Sequence, residues 1–168
     1  MIRLIGQMAA AGDVFAAAIF CIAALAYLAF SAPLIIIDVK EHRLPAPIVR
    51  CWAAVALVAL CSGFWAGRMP ERILGVLLGG VAYGVVYLVI HLTNPQGMGF
   101  GDVRLAPILG FYLGTLSWAH VFYGLLSPML CALVIGVVLL LLKKRRMTEH
   151  FAFGPYMILG VLAVLVLG

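Results

Sequence analysis

Charge is what this chain has least of. Only 10% of its 168 residues are charged and six are acidic, whereas 66% are hydrophobic. Soluble domains average about a quarter charged and about half apolar. With a mean hydropathy of +1.21, too little polar surface exists to cover a globule in water, so a bilayer must stand in for that water. Long polar stretches are missing too, which excludes a separate soluble catalytic domain, a nucleotide-binding domain and a long disordered tail. Clustered metal-ligand types are also lacking. Cys21, Cys51, Cys61 and Cys131 are scattered without a CxxC pair, and zinc sites need grouped thiolates, so they read as apolar packing residues. His42, His91, His120 and His150 are equally dispersed. Neither a metal nor another cofactor is expected, and the excess of eleven basic over six acidic residues reflects membrane topology rather than nucleic-acid binding.

What the chain does have is apolar runs. They extend over about 14–37, 48–65, 73–92, 103–117, 120–142 and 153–167, and about 20 apolar residues suffice for one helical span. The expectation is an all-α polytopic membrane protein with six transmembrane helices, forming a single integral domain over 1–168. The break between the fourth and fifth runs, Ser117-Trp118-Ala119-His120, is thin. Loops one, three and five hold Lys40, Arg43, Arg104 and the Lys143-Lys144-Arg145-Arg146 cluster, with Arg50 just inside the second run. The other side has only Arg3, Arg68 and Arg72. The positive-inside rule puts those odd-numbered loops in the cytoplasm and both termini outside.

Two acids stand out. Asp38 closes the run Leu34-Ile35-Ile36-Ile37, and Asp102 follows Gly97-Met98-Gly99-Phe100-Gly101 at the start of the fourth run. Two spans lie between them, so the chain crosses and returns, and both carboxylates reach the same cytoplasmic depth. Taken singly, Asp38 reads as an interfacial residue paired with Lys40 or Arg43, and Asp102 as a helix N-cap. Neither reading explains three glycines just before Asp102. Glycine lets a backbone approach another chain and adopt positive φ, and irregular backbone at a membrane boundary belongs where protein or a wet cavity shields it. An extended substrate could lie along Gly99, Phe100 and Gly101. Two close carboxylates cannot both ionise, so one serves as acid and the other as base, as a diaspartyl protease requires. Glu41 reads as a loop charge, and Gly75, Gly79, Gly80 and Gly84 as small-residue helix packing.

Gly99-Phe100-Gly101-Asp102 matches the GxGD signature of membrane aspartyl proteases, and the string from Gly97 to Gly110 resembles the second motif of the type IV prepilin peptidases. Asp38-Val39-Lys40-Glu41-His42-Arg43-Leu44-Pro45 resembles their first motif, and Phe153-Gly154-Pro155-Tyr156 an element at their last span. The resemblance covers essentially the whole chain. It implies an aspartic endopeptidase of the bacterial inner membrane, with Asp38 and Asp102 catalytic, that removes the leader of a prepilin or pseudopilin at the cytoplasmic face. Membrane lipid and the pilus assembly machinery are the candidate partners. Ala46 departs from the Asn or Asp common after Leu-Pro. The larger bifunctional members carry an N-terminal cysteine tetrad and methylate their product. This chain has neither that region nor the tetrad, so it looks like the short peptidase-only branch associated with Tad/Flp pili. The competing class is a small proton-coupled transporter, since intramembrane carboxylates also serve proton relays.

Overall fold

The computed structural model describes residues 1–41, 43–93, 98–141 and 153–167. Gly97, His42, the Lys143–Arg146 cluster, Glu149 and His150 lie outside the described residues. Seven helices occupy the described residues: α1 (Ile2–Ala10), α2 (Val14–Glu41), α3 (Ala46–Ala66), α4 (Glu71–Thr93), α5 (Phe100–Gly114), α6 (Trp118–Leu141) and α7 (Gly154–Leu167). The fold is all-helical, as the composition requires. Three helices, α2, α3 and α4, are long and apolar enough to cross a membrane, and α7 is a shorter apolar helix.

Each apolar run became one helix, with boundaries that differ in informative ways. α2 continues past Ile37 to Glu41, so Asp38 is held in regular helix instead of ending it. The thin break is real: α5 stops at Gly114 and α6 starts at Trp118, with Ser117 Oγ 2.7 Å from His120 Nδ1. The residues ahead of the first apolar run form the amphipathic helix α1. It buries Leu4 and Met8, and the Met8 side chain packs on Gly67 just past the end of α3. It therefore lies against the end of the bundle remote from Asp38.

α5 is the central element, in contact with α3, α4, α6 and α7. Its 15 residues rise about 22 Å, short of an ~30 Å hydrocarbon core. A short helix suffices because protein rather than lipid surrounds it: Leu105, Ala106, Ile108, Leu109, Tyr112 and Leu113 are all buried. The α4–α5 seam is built from glycine. A Cβ at Gly79 would lie 2.7 Å from the Gly110 carbonyl oxygen, and one at Gly84 2.9 Å from Pro107. The glycines of α4 thus act as the helix-packing stripe their spacing suggested.

Three buried tyrosine hydroxyls are satisfied between helices, as an apolar solvent demands. Tyr27 of α2 donates to the Ile158 carbonyl of α7 at 2.7 Å, Tyr112 of α5 to Ala23 of α2 at 2.9 Å, and Tyr83 of α4 to Gly124 of α6 at 2.6 Å. Tyr27 also packs edge-on against Trp52 and Tyr112, with ring centroids 5.4 and 5.0 Å apart. These contacts lock α2, α3, α5 and α7 together beneath the site.

A buried carboxylate pair at one end of the bundle

Asp38 sits in the last turn of α2 and Asp102 in the first turn of α5. Both are buried, at 5% and 6% exposure. Isolated interfacial carboxylates would reach into water, so burial sets these two apart from Glu41, which is exposed three residues after Asp38. The N-cap reading of Asp102 does not hold: Gly99 is the N-cap of α5 and the Asp102 amide bonds back to its carbonyl at 3.1 Å. Asp102 is therefore a third-position acid, facing into the bundle.

The two carboxylates converge on α7. A Cβ placed on Gly154 would stand 2.7 Å from Asp38 Oδ2 and 3.5 Å from Asp102 Oδ1. The carboxylate oxygens can be no farther apart than those two distances laid end to end. Gly154 opens α7 and Asp102 lies in the opening turn of α5, so two helix N-termini meet the pair. Their partial positive charge favours one ionised carboxylate there. Asp102 precedes the apolar stretch that begins at Val103. Burial, then the facing charge of Asp38, raises its carboxyl from 3.8 to about 7, with a hydrogen bond from the Gly99 backbone opposing the rise. One ionised and one protonated carboxyl can thus coexist near neutrality, an arrangement able to activate water and polarise a carbonyl together.

Gly99 and Phe100 are exposed at the mouth of the pair. Neither Gly99 nor Gly101 has positive φ: Gly99 is extended at φ −67°, Gly101 is helical, and among the described glycines only Gly12 is left-handed. The expectation of a positive-φ segment is corrected to one of close approach. A Cβ on Gly101 would lie 2.9 Å from the Cβ of Leu44, so Leu44 packs directly on the turn that carries Asp102. His91, one of the dispersed histidines, has a structural task at this end. Its Nδ1–H donates to the Met98 carbonyl at 2.8 Å and its ring lies 5.5 Å from that of Phe100. Arg104 covers Phe100 at 4.8 Å. Among the described residues no group of three or more His, Cys, Asp or Glu could hold a metal ion.

The molecule so far is a helical membrane protein with a buried pair of carboxylates at one end of its bundle. It belongs to the type IV leader peptidase family, which matches residues 19–141 and so includes both aspartates. Among its relatives is the prepilin leader peptidase/N-methyltransferase of Pseudomonas putida, 32% identical over 132 residues, which are 77% of this chain and 44% of that protein. The enzyme of the same name from Pseudomonas aeruginosa is 29% identical over 132 residues, with the same coverage. The type 4 prepilin-like proteins leader peptide-processing enzyme of Escherichia coli O78:H11 is 30% identical over 152 residues, 86% of this chain and 52% of that protein. The chain thus spans about half the length of these curated relatives. No solved structure matches it.

Asp38 and Asp102 are brought together as the parity of spans required. Glu41 points outward, and Asp13 and Glu71 lie near the opposite end. Gly154 was visible in the sequence only as part of a resemblance. Its task depends on α7 meeting α2 and α5, which no local pattern reveals.

Proposed function

We propose that this protein is a membrane-embedded aspartic endopeptidase that removes the leader peptide of a type IV prepilin or pseudopilin. The observation that carries the reading is the convergence of two buried carboxylates on Gly154. The ionised member takes a proton from water, whose oxygen adds to the scissile carbonyl carbon. The protonated member gives its proton to the carbonyl oxygen. The tetrahedral intermediate then collapses, breaking the C–N bond as a proton passes to the departing amine. Acid and base belong to the coupled pair rather than to one residue each. Gly99 and Phe100 form the exposed edge against which the extended substrate backbone lies, with Gly101 behind them against Leu44. Both acids sit at one end of the bundle and not midway through it, which favours peptidase over proton relay.

The reading extends to topology and branch. In this reading α5, α6 and α7 join the three longer helices as spans, six in all, and the carboxylate pair works at the cytoplasmic face of the bacterial inner membrane. The reading takes the activity as peptidase without methyl transfer and the branch as the Tad/Flp-associated one, working beside the pilus assembly machinery. The test is incubation of purified protein with candidate prepilins in lipid, followed by the mass of the products. A single cut at the leader boundary with no added methyl group is expected. Intact prepilin under all conditions would overturn the reading.

A further inference from the structure

The bundle is not closed all round. α4 and α6 are pinned where Tyr83 donates to the Gly124 carbonyl. Between there and the carboxylate end, a groove of about 360 Å³ separates them. Its walls are Tyr87 and Ile90 of α4 with Leu126 and Met129 of α6, and at its carboxylate end stand Met98 and Phe153. Every lining side chain is apolar or aromatic. Ile90, Leu126 and Met129 are exposed, so the groove opens sideways towards lipid instead of upward to water.

Its floor is continuous with the carboxylate pair. Phe153 precedes Gly154, the residue on which both carboxylates converge, and its ring lies 6.3 Å from that of Tyr87. Met98 precedes Gly99, the N-cap of the helix that carries Asp102. From Met129 back to Leu126 the wall climbs about 4–5 Å further into the bundle at 1.5 Å per residue. Two further cavities among the described residues have charged linings, one with Arg50 and Arg104 between α3 and α5, the other with Glu71 and Arg72 at the opposite end.

Resting on the peptidase reading above, we infer that this groove seats the first apolar residues after the scissile bond of a membrane-inserted prepilin, admitted sideways between α4 and α6. A segment leaving the carboxylates for the bilayer must cross that boundary beside apolar partners, because its own side chains are apolar. Methionines at both the floor and the wall let the groove fit side chains of differing shape. The subsite would select an apolar residue after the cut and exclude a charged one, which would be desolvated there without a partner.

The experiment fills the groove from its exposed wall. Met129→Trp and Leu126→Trp are compared with Val81→Trp and Leu130→Trp, exposed positions on the same two helices that do not line the groove. Full-length prepilin and enzyme are reconstituted in phosphatidylethanolamine–phosphatidylglycerol vesicles, and KM and kcat are measured separately. The groove variants should raise KM about tenfold with little change in kcat, as expected for lost binding, and the controls should match wild type. A photo-crosslinking side chain at Met129 should capture the prepilin, and one at Leu130 should not; this holds even if a tryptophan variant fails to insert. Equal KM at groove and control positions, or no capture at Met129 by an enzyme that cleaves, would overturn the subsite alone. Failure of wild type to cleave would instead overturn the peptidase reading.

Discussion

Asp38 and Asp102 share one neighbour: each has a carboxylate oxygen within 3.5 Å of where a Cβ on Gly154 would stand. Three helices, α2, α5 and α7, therefore define the site, and the third contributes a missing side chain. Gly154→Ala should fold, because the obstructed atoms are the ends of side chains, but it should displace the Asp38 carboxylate. A shift of about 1 Å at a reacting group costs on the order of 100-fold in rate. The measurement is prepilin processing per inserted enzyme; processing equal to wild type would show that the pair tolerates the methyl.

The Asp102 carboxyl, raised by burial and by Asp38 to about 7 from 3.8, sets a direction for pH dependence. Between those values the folded protein binds more protons than the unfolded chain, so stability falls as pH rises through that window and levels off above it. Asp102→Asn has no such charge to bury. Its melting temperature in detergent should exceed that of wild type at pH 8, with the gap closing towards pH 4. Cleavage by wild type should fall as pH is raised past about 7, when the pair loses its remaining proton. A lower melting temperature for Asp102→Asn at pH 8 would contradict this electrostatic picture.

Gly101 is constrained by Leu44, whose Cβ lies 2.9 Å from where a Cβ on the glycine would be. Overpacking of this kind costs about 1–3 kcal/mol, here borne by the turn that holds Asp102. Gly101→Ala should lose most processing, and adding Leu44→Gly, which removes the obstructing Cβ, should restore much of it. No restoration in the double variant would mean that the glycine answers to the substrate and not to Leu44.

The α4–α5 seam should be intolerant of side chains for a different reason. A Cβ on Gly110 would meet the Gly79 carbonyl and lie 2.8 Å from the Gly80 Cα, backbone atoms that cannot rotate away. Gly110→Ala should destabilise the protein by about 1–3 kcal/mol and lower its melting temperature. Gly6→Ala, inside α1 and with nothing within 4 Å of the added carbon, should not lower it, because alanine is the better helix former.

The carboxylate pair was legible in the sequence because a membrane reduces folding to counting crossings: two apolar runs between Asp38 and Asp102 return the chain to the same side. The glycine stripe of α4 was legible from its spacing. Helix α1 was not, since its Leu4 and Met8 become a face only when the end of the bundle is there to cover them. The segment before Asp102 was read as free to take positive φ, yet Gly99 is extended at φ −67°. Packing with Leu44, more than fifty positions away in the chain, is the constraint, and composition carries no trace of it. His91 looked like a lone histidine for the same reason, because its Met98 partner stands seven positions further on, beyond the end of α4.

The central claim is that Asp38 and Asp102 act as one catalytic unit, and the most direct test is prepilin processing by Asp38→Asn, Asp102→Asn and the double variant, each normalised to inserted enzyme. Either single substitution should abolish cleavage, and the double variant should be no worse than either single one, because the pair acts as a unit. Glu41→Gln, at an exposed position, should retain most activity. Substantial cleavage by Asp38→Asn or by Asp102→Asn would contradict the diaspartyl assignment.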